Sequence, residues 1–151
     1  MRPGIVRALA ICIFRNVNKI LVGEHYDAVK RETFYRPLGG TIEFGETSKQ
    51  TIEREIKEEL SAKVVNLRYV GNIESHFTYN GEKGHEIVVV YQGDLADRSF
   101  YKMDSIVGTE DDGVPFNAVW KSLDFFQSCA APLYPDGLFE LMQKEFHVQG
   151  H

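Results

Sequence analysis

A mixed α/β domain is the fold class this chain predicts, and three observations predict it. Short apolar, β-branched segments recur between polar turns, as strands do. One stretch, residues 48–60, places apolar residues at helical spacing, and a second helix-like stretch closes the chain. The composition is that of an ordinary globular protein, 43% hydrophobic and 26% charged with 13 Gly and 5 Pro. That balance argues against disorder, collagen-like sequence and coiled coil. At 151 residues, one domain over 1–151 is the natural count, long enough to bury a core.

The elements follow in order. Residues 6–14, VRALAICIF, are apolar and β-branched, hence a strand. A polar turn at 15–18 and a second strand at 19–23 complete a hairpin. Residues 24–33 are charged and irregular and read as a loop. Residues 34–36 are extended, since Pro37 disfavours a helical Arg36, and Gly39-Gly40 reads as a turn. A short strand at 41–44 is broken by Gly45. Thr47 or Ser48 caps a helix running to about Leu60. Residues 64–73 form a strand. Segments 77–79 and 85–93 flank Asn80-Gly81, a hairpin signal. Residues 94–113 are a long polar loop with room for an extra strand, a size that is often functional. A strand at 116–120 leads to a turn or short helix at 122–126. Tyr134-Pro135-Asp136 opens a final helix near 137–146, and residues 147–151 read as a flexible tail.

Charge excludes some functions. Lys and Arg number 17 against 22 Asp and Glu, a net charge of −5. An acidic chain is a poor general nucleic-acid binder and suits a small-molecule enzyme better. No apolar run reaches the roughly 18–20 residues of a membrane span, and no signal peptide is read. Cys12 and Cys129 form no metal-ligand spacing. The default location is therefore the cytoplasm.

The stretch that carries chemistry is 40–62, GTIEFGETSKQTIEREIKEELSA. At 100° per residue, Ile52, Ile56 and Leu60 make one buried stripe. Glu55, Glu58 and Glu59 fall on an arc of about 100° beside it. Like charges at i,i+3 and i,i+4 repel by a few tenths of a kcal/mol each, and anions near a helix C-terminus oppose its dipole. Hard divalent cations with oxygen ligands would relieve that repulsion, and Mg²⁺ in particular combines carboxylates with waters and substrate phosphates. Arg54 has a loop carboxylate within reach, Glu46 being one candidate. Gly39 and Gly40 allow close backbone approach to a ligand. The competing reading is an ordinary solvated helix.

This segment resembles the signature box of the Nudix hydrolases, Gly-x5-Glu-x7-Arg-Glu-U-x-Glu-Glu-x-Gly-U, with U a bulky aliphatic. Gly40, Glu46, Arg54, Glu55, Ile56, Glu58 and Glu59 fall in register. Six fixed letters give a chance match on the order of one in ten million per start. The box ends imperfectly, with Ser61 for Gly and Ala62 for the last aliphatic. Pro37-Leu38 inverts the family's usual order.

The resemblance implies an α/β/α sandwich, a mixed sheet between helices, and hydrolysis of a nucleoside diphosphate linked to another moiety by water attack at phosphorus. It implies Glu55, Glu58, Glu59 and the Gly40 carbonyl as ligands of Mg²⁺ or Mn²⁺, with Arg54 and Glu46 holding the loop on the helix and Glu55 as the base. An extra acid would come from Glu86, Glu110, Asp111 or Asp112. Arg36 and the Gly39-Gly40 backbone are the expected substrate contacts. Phe34, Tyr35, Phe77, Tyr79 and Tyr134 are candidates to stack on a base. A non-catalytic nucleotide sensor and an RNA 5′-end pyrophosphohydrolase are the alternatives. The expected partner is a small molecule, with no membrane, no nucleic acid and a homodimer as the commonest oligomer.

Overall fold

The computed structural model describes residues 4–128 and 130–149; Cys129 and the tail positions 150–151 lie outside them. The apolar run at the start explains the centre of the molecule. Strand β1 (Val6–Asn16) has an unbroken buried stretch from Leu9 to Phe14, the pattern of a strand covered on both faces. Ala10, Cys12 and Phe14 point into one core, which α1 (Ser48–Leu60) covers with Ile52, Ile56 and Leu60. Leu9, Ile11 and Ile13 point into the other. There α2 (Leu123–Gln127) and α3 (Leu138–Gln149) supply Phe126, Leu138, Met142 and Phe146. Two-residue alternation on one strand thus builds both layers of an α/β/α arrangement.

The remaining strands are β2 (Lys19–Asp27), β3 (Glu32–Thr41), β4 (Val64–Tyr79), β5 (Glu82–Leu95), β6 (Ser105–Thr109) and β7 (Pro115–Ser122). The sheet runs β4-β5-β1-β3-β2-β7-β6; β1 and β5 pair in parallel, and the other strand pairings among the described residues are antiparallel. Strand β3 crosses between its two halves: residues 32–37 pair with β2, and Leu38 to Thr41 pair with β1. Among the described residues no helix is long and apolar enough to cross a membrane.

Four expectations are corrected. Residues 24–33 are no loop but the end of β2, a tight turn and the start of β3; Asp27 Oδ1 accepts the Val29 and Lys30 amides at 3.0 and 3.1 Å and closes that turn. Gly39-Gly40 is no turn. It lies inside β3, where a Cβ on Gly39 (φ 152°) would overlap the carbonyl of Ala10 on β1. The glycine signal reports close approach of two strands. The short strand at 41–44 is instead the last residue of β3 and a loop. Finally, α3 continues three residues past Phe146. The Asn80-Gly81 hairpin is present, with both residues at positive φ (50° and 82°), as a type I′ connection requires.

Candidate active site

Helix α1 is aimed by its first turn. Thr47 caps it: Thr47 Oγ1 accepts the Gln50 amide at 3.2 Å, and Gln50 Oε1 accepts the Thr47 amide at 2.9 Å. This reciprocal pair satisfies two otherwise open donors. Arg54 then fastens the preceding loop. Its Nε and Nη2 donate to the two oxygens of Glu46 at 2.7 and 3.0 Å, and Nη2 donates to the Thr41 carbonyl at 3.1 Å. The Arg54 and Thr51 bonds hold the Glu46 carboxyl down at about 2. With its remaining nitrogen, Arg54 donates to Glu55 Oε1 at 2.8 Å and Glu58 Oε2 at 3.3 Å.

Three acids meet at one point. Oxygens of Glu55, Glu58 and Asp111 lie within 4.8 Å of one another. Asp111 comes from the β6–β7 turn, more than fifty residues away in sequence and in the outer part of the sheet. Glu59 stands beside them but outside that group of three. It is only 7% exposed, and its Oε1 is buried without a hydrogen-bond partner among the described residues. Burial first, then repulsion from Glu55, Glu110 and Asp111, pushes Glu59 up to about 9. Glu55, 2% exposed, is pushed up to about 7, again by burial first, against the pull of Arg54. A buried carboxylate with an open lone pair beside three other acids is costly unless a cation meets it. An oxygen-only donor set of this kind suits a hard divalent ion. Gly40 completes the wall: a Cβ there would fall on the Glu55 carboxylate.

Glu59, Asp111 and Gly40 line a cavity of about 870 Å³ that lies between β2–β3 and the β1, β4, β5 half of the sheet, with the Glu55 carboxylate packed against Gly40. Arg36 lines it, as do Arg7, His25, Glu86 and Glu110. Part of its wall is aromatic. Phe34 meets Tyr79 and Tyr134 edge-on, with ring centroids 5.5 and 5.4 Å apart. One side-chain and one backbone hydrogen bond hold this part together. Asp27 accepts the Asn80 amide at 3.2 Å, and the Tyr134 amide donates to the Tyr35 carbonyl at 2.8 Å. Phe77 also lines the cavity. Tyr35 points to the opposite core instead.

The other acids proposed from sequence fall in different places. Glu110 lines the cavity with its carboxyl raised by burial, 3.8 Å from His25 Nδ1. Burial, then Arg36, pushes His25 down to about 4, so the imidazole is neutral at pH 7. Asp112 Oδ1 accepts the Val114 amide at 3.0 Å and shapes the turn. Glu86 is buried against Arg7 and Arg36. His76 and His85 stack across β4–β5 with centroids 4.0 Å apart. His25 was not singled out from sequence, because its segment read as a loop. The signal that could have found it is the alternation from Leu21 through Gly23 to His25, which continues β2.

Comparison with known proteins bears on the family and the fold. The NUDIX domain family model matches residues 4–126. The NAD-capped RNA hydrolase NudC of Erwinia tasmaniensis is 43% identical over 68 residues, 45% of this chain and 25% of that protein. Its Pectobacterium atrosepticum counterpart is 32% identical over 94 residues, 62% of this chain and 33% of that one. The chain therefore spans a quarter to a third of these relatives. A NUDIX hydrolase from Nitrosomonas europaea superposes with a TM-score of 0.60 at 19% identity, covering 98% of this chain and 90% of that one. An ADP compounds hydrolase superposes with a TM-score of 0.60 at 18% identity, covering 99% and 77%. At such identities the likeness is one of fold, the mixed sheet flanked by helices.

Proposed function

Because the chain belongs to the Nudix hydrolase family, we propose that it is a divalent-metal-dependent pyrophosphohydrolase acting on a nucleoside diphosphate joined to a second group. The observation that carries this reading is the meeting of Glu55, Glu58 and Asp111, with the unsatisfied Oε1 of Glu59 beside them. These four acids would hold Mg²⁺, or Mn²⁺ in its place, with the Gly40 carbonyl as a further ligand. The ion, when bound, neutralises phosphate charge and acidifies bound water.

The chain's own groups do the rest. Arg54 ties Glu55 and Glu58 together and fixes the loop through Glu46. A Glu55 oxygen takes the proton from the attacking water, as a general base. Water adds across one P–O–P linkage, so both products leave as phosphorylated species. Arg36 offers a planar donor fork to phosphate oxygens. The Gly39-Gly40 backbone, bare of side chains, lets the substrate approach β3 closely.

The test is Mg²⁺-dependent turnover of NADH, ADP-ribose, dinucleoside polyphosphates and nucleotide sugars, with both products identified. Glu58→Gln and Glu59→Gln should each lower kcat by about 100-fold or more, as loss of a charged group at a reacting centre does. Unchanged turnover in both variants would end the proposal. Tight nucleotide binding without any hydrolysis would favour the sensor reading. The names of the matched relatives put NAD-capped RNA on the same panel. The net charge of −5 favours the free dinucleotide over the RNA.

A further inference from the structure

Three charged side chains of the cavity wall take no part in the acid cluster. Glu86 of β5 is only 3% exposed. Its Oε2 lies 3.5 Å from Arg7 Nη1 of β1, and its Oε1 lies 3.8 Å from Arg36 Nη2 of β3. Arg7 also donates through Nη2 to Thr41 Oγ1 at 2.6 Å. Two guanidiniums and one carboxylate leave one net positive charge. It faces a cavity whose other ionisable walls include Glu24, Glu59, Glu110 and Asp111.

The arginines are held but not used up. Their side chains remain 33% and 30% exposed, and both line the cavity. Contacts of 3.5 and 3.8 Å are longer than the roughly 2.7–2.9 Å of a charge-assisted hydrogen bond. Donors therefore remain for a ligand. A carboxylate this deeply buried costs stability unless it is paired. Its position between two arginines makes sense as a device that orients both.

Strand β3 orders these parts. Gly40 abuts Glu55, and Phe34, six residues earlier, forms the aromatic end, about 20 Å away at ~3.3 Å per residue. Arg36 stands between them. Glu58, beside the acid cluster, is half exposed.

We infer that Arg7 and Arg36, oriented by Glu86, form an anion clamp for the phosphate on the nucleoside side of the scissile linkage. The base then lies toward Phe34, Tyr79 and Tyr134, and the second substituent lies toward solvent. The clamp reads the nucleotide half and leaves the other half largely unread. The identity of the anion as a phosphate rests on the pyrophosphohydrolase reading. Glu86 is a positioning residue, and the arginines are the groups that touch ligand.

The test is calorimetric titration of the full chain in EDTA at pH 6.5 with AMP, GMP, CMP and UMP, and with the four nucleosides. At least one monophosphate should bind about tenfold or more tightly than its own nucleoside, with a preference that weakens as NaCl rises. Arg7→Gln and Glu86→Gln should each reduce that preference to about threefold or less while nucleoside affinity holds, which separates the effect from misfolding. Arg7→Lys, which keeps the charge, should retain part of it and carries the test if Arg7→Gln does not fold. No preference in the wild type, or a preference that survives both substitutions, overturns the clamp. Mg²⁺-dependent turnover is measured on the same wild-type protein. Turnover with a flat preference removes the clamp and leaves the hydrolase; clamp binding without turnover on any substrate does the reverse.

Discussion

Glu59 and Gly40 show how single residues set the chemistry. The carboxyls of Glu59 and Glu55 are raised to about 9 and about 7 in the metal-free protein, chiefly by burial. Folded pKa values above the unfolded value near 4.3 mean that the folded state holds more protons between the two. Stability in EDTA therefore falls as pH rises from about 4.5 toward 9. At this chain length each kcal/mol is worth roughly 2–4 °C in Tm. Melting in EDTA should occur at a lower temperature at pH 8.5 than at pH 6, and Mg²⁺ should recover more at pH 8.5. A Tm gain from Mg²⁺ that is equal at both pH values would contradict this. Gly40→Ala places a methyl group on the Glu55 carboxylate. It should lower turnover at least as much as Glu58→Gln does, with far-UV circular dichroism unchanged.

At the level of elements, α1 carries both an optimised and an unoptimised end. The capping box at Thr47 makes the start rigid, so Thr47→Ala should cost about 1 kcal/mol in urea unfolding. The other end is strained. Ser61, standing where the resembling box has Gly, sits at φ 55° in the left-handed region. Ser61→Gly should stabilise the protein by about 1 kcal/mol, raising Tm by roughly 2–4 °C, with kcat unchanged because no ligand is touched. This helix was legible in the sequence because its stripe, its cap and its acids all obey one 3.6-residue period. Strand β3 was not. Pro37, Gly39 and Gly40 are turn-formers locally, yet the strand runs through them because β1 and β2 pair with its two halves in succession. Pairing with distant strands overrode the local preference.

Across the whole molecule, the site is made where a distant part of the chain folds onto α1. Glu55 and Glu58 lie in a recognisable box, but Asp111 reaches them from the β6–β7 turn. Asp111→Asn should weaken Mg²⁺ affinity by about tenfold or more, measured by the Mg²⁺ concentration at half-maximal turnover. Tm in EDTA should not fall, since the substitution removes a like charge. Local pattern was enough to establish the mixed fold class, helix α1 and the acids it displays, because helical period and residue chemistry are properties of neighbours along the chain. It could not select Asp111 from Glu110, Asp111 and Asp112, nor bring Arg7, Arg36 and Glu86 together from three strands. Those choices depend on sheet order and register, and these are set only when both cores close around β1.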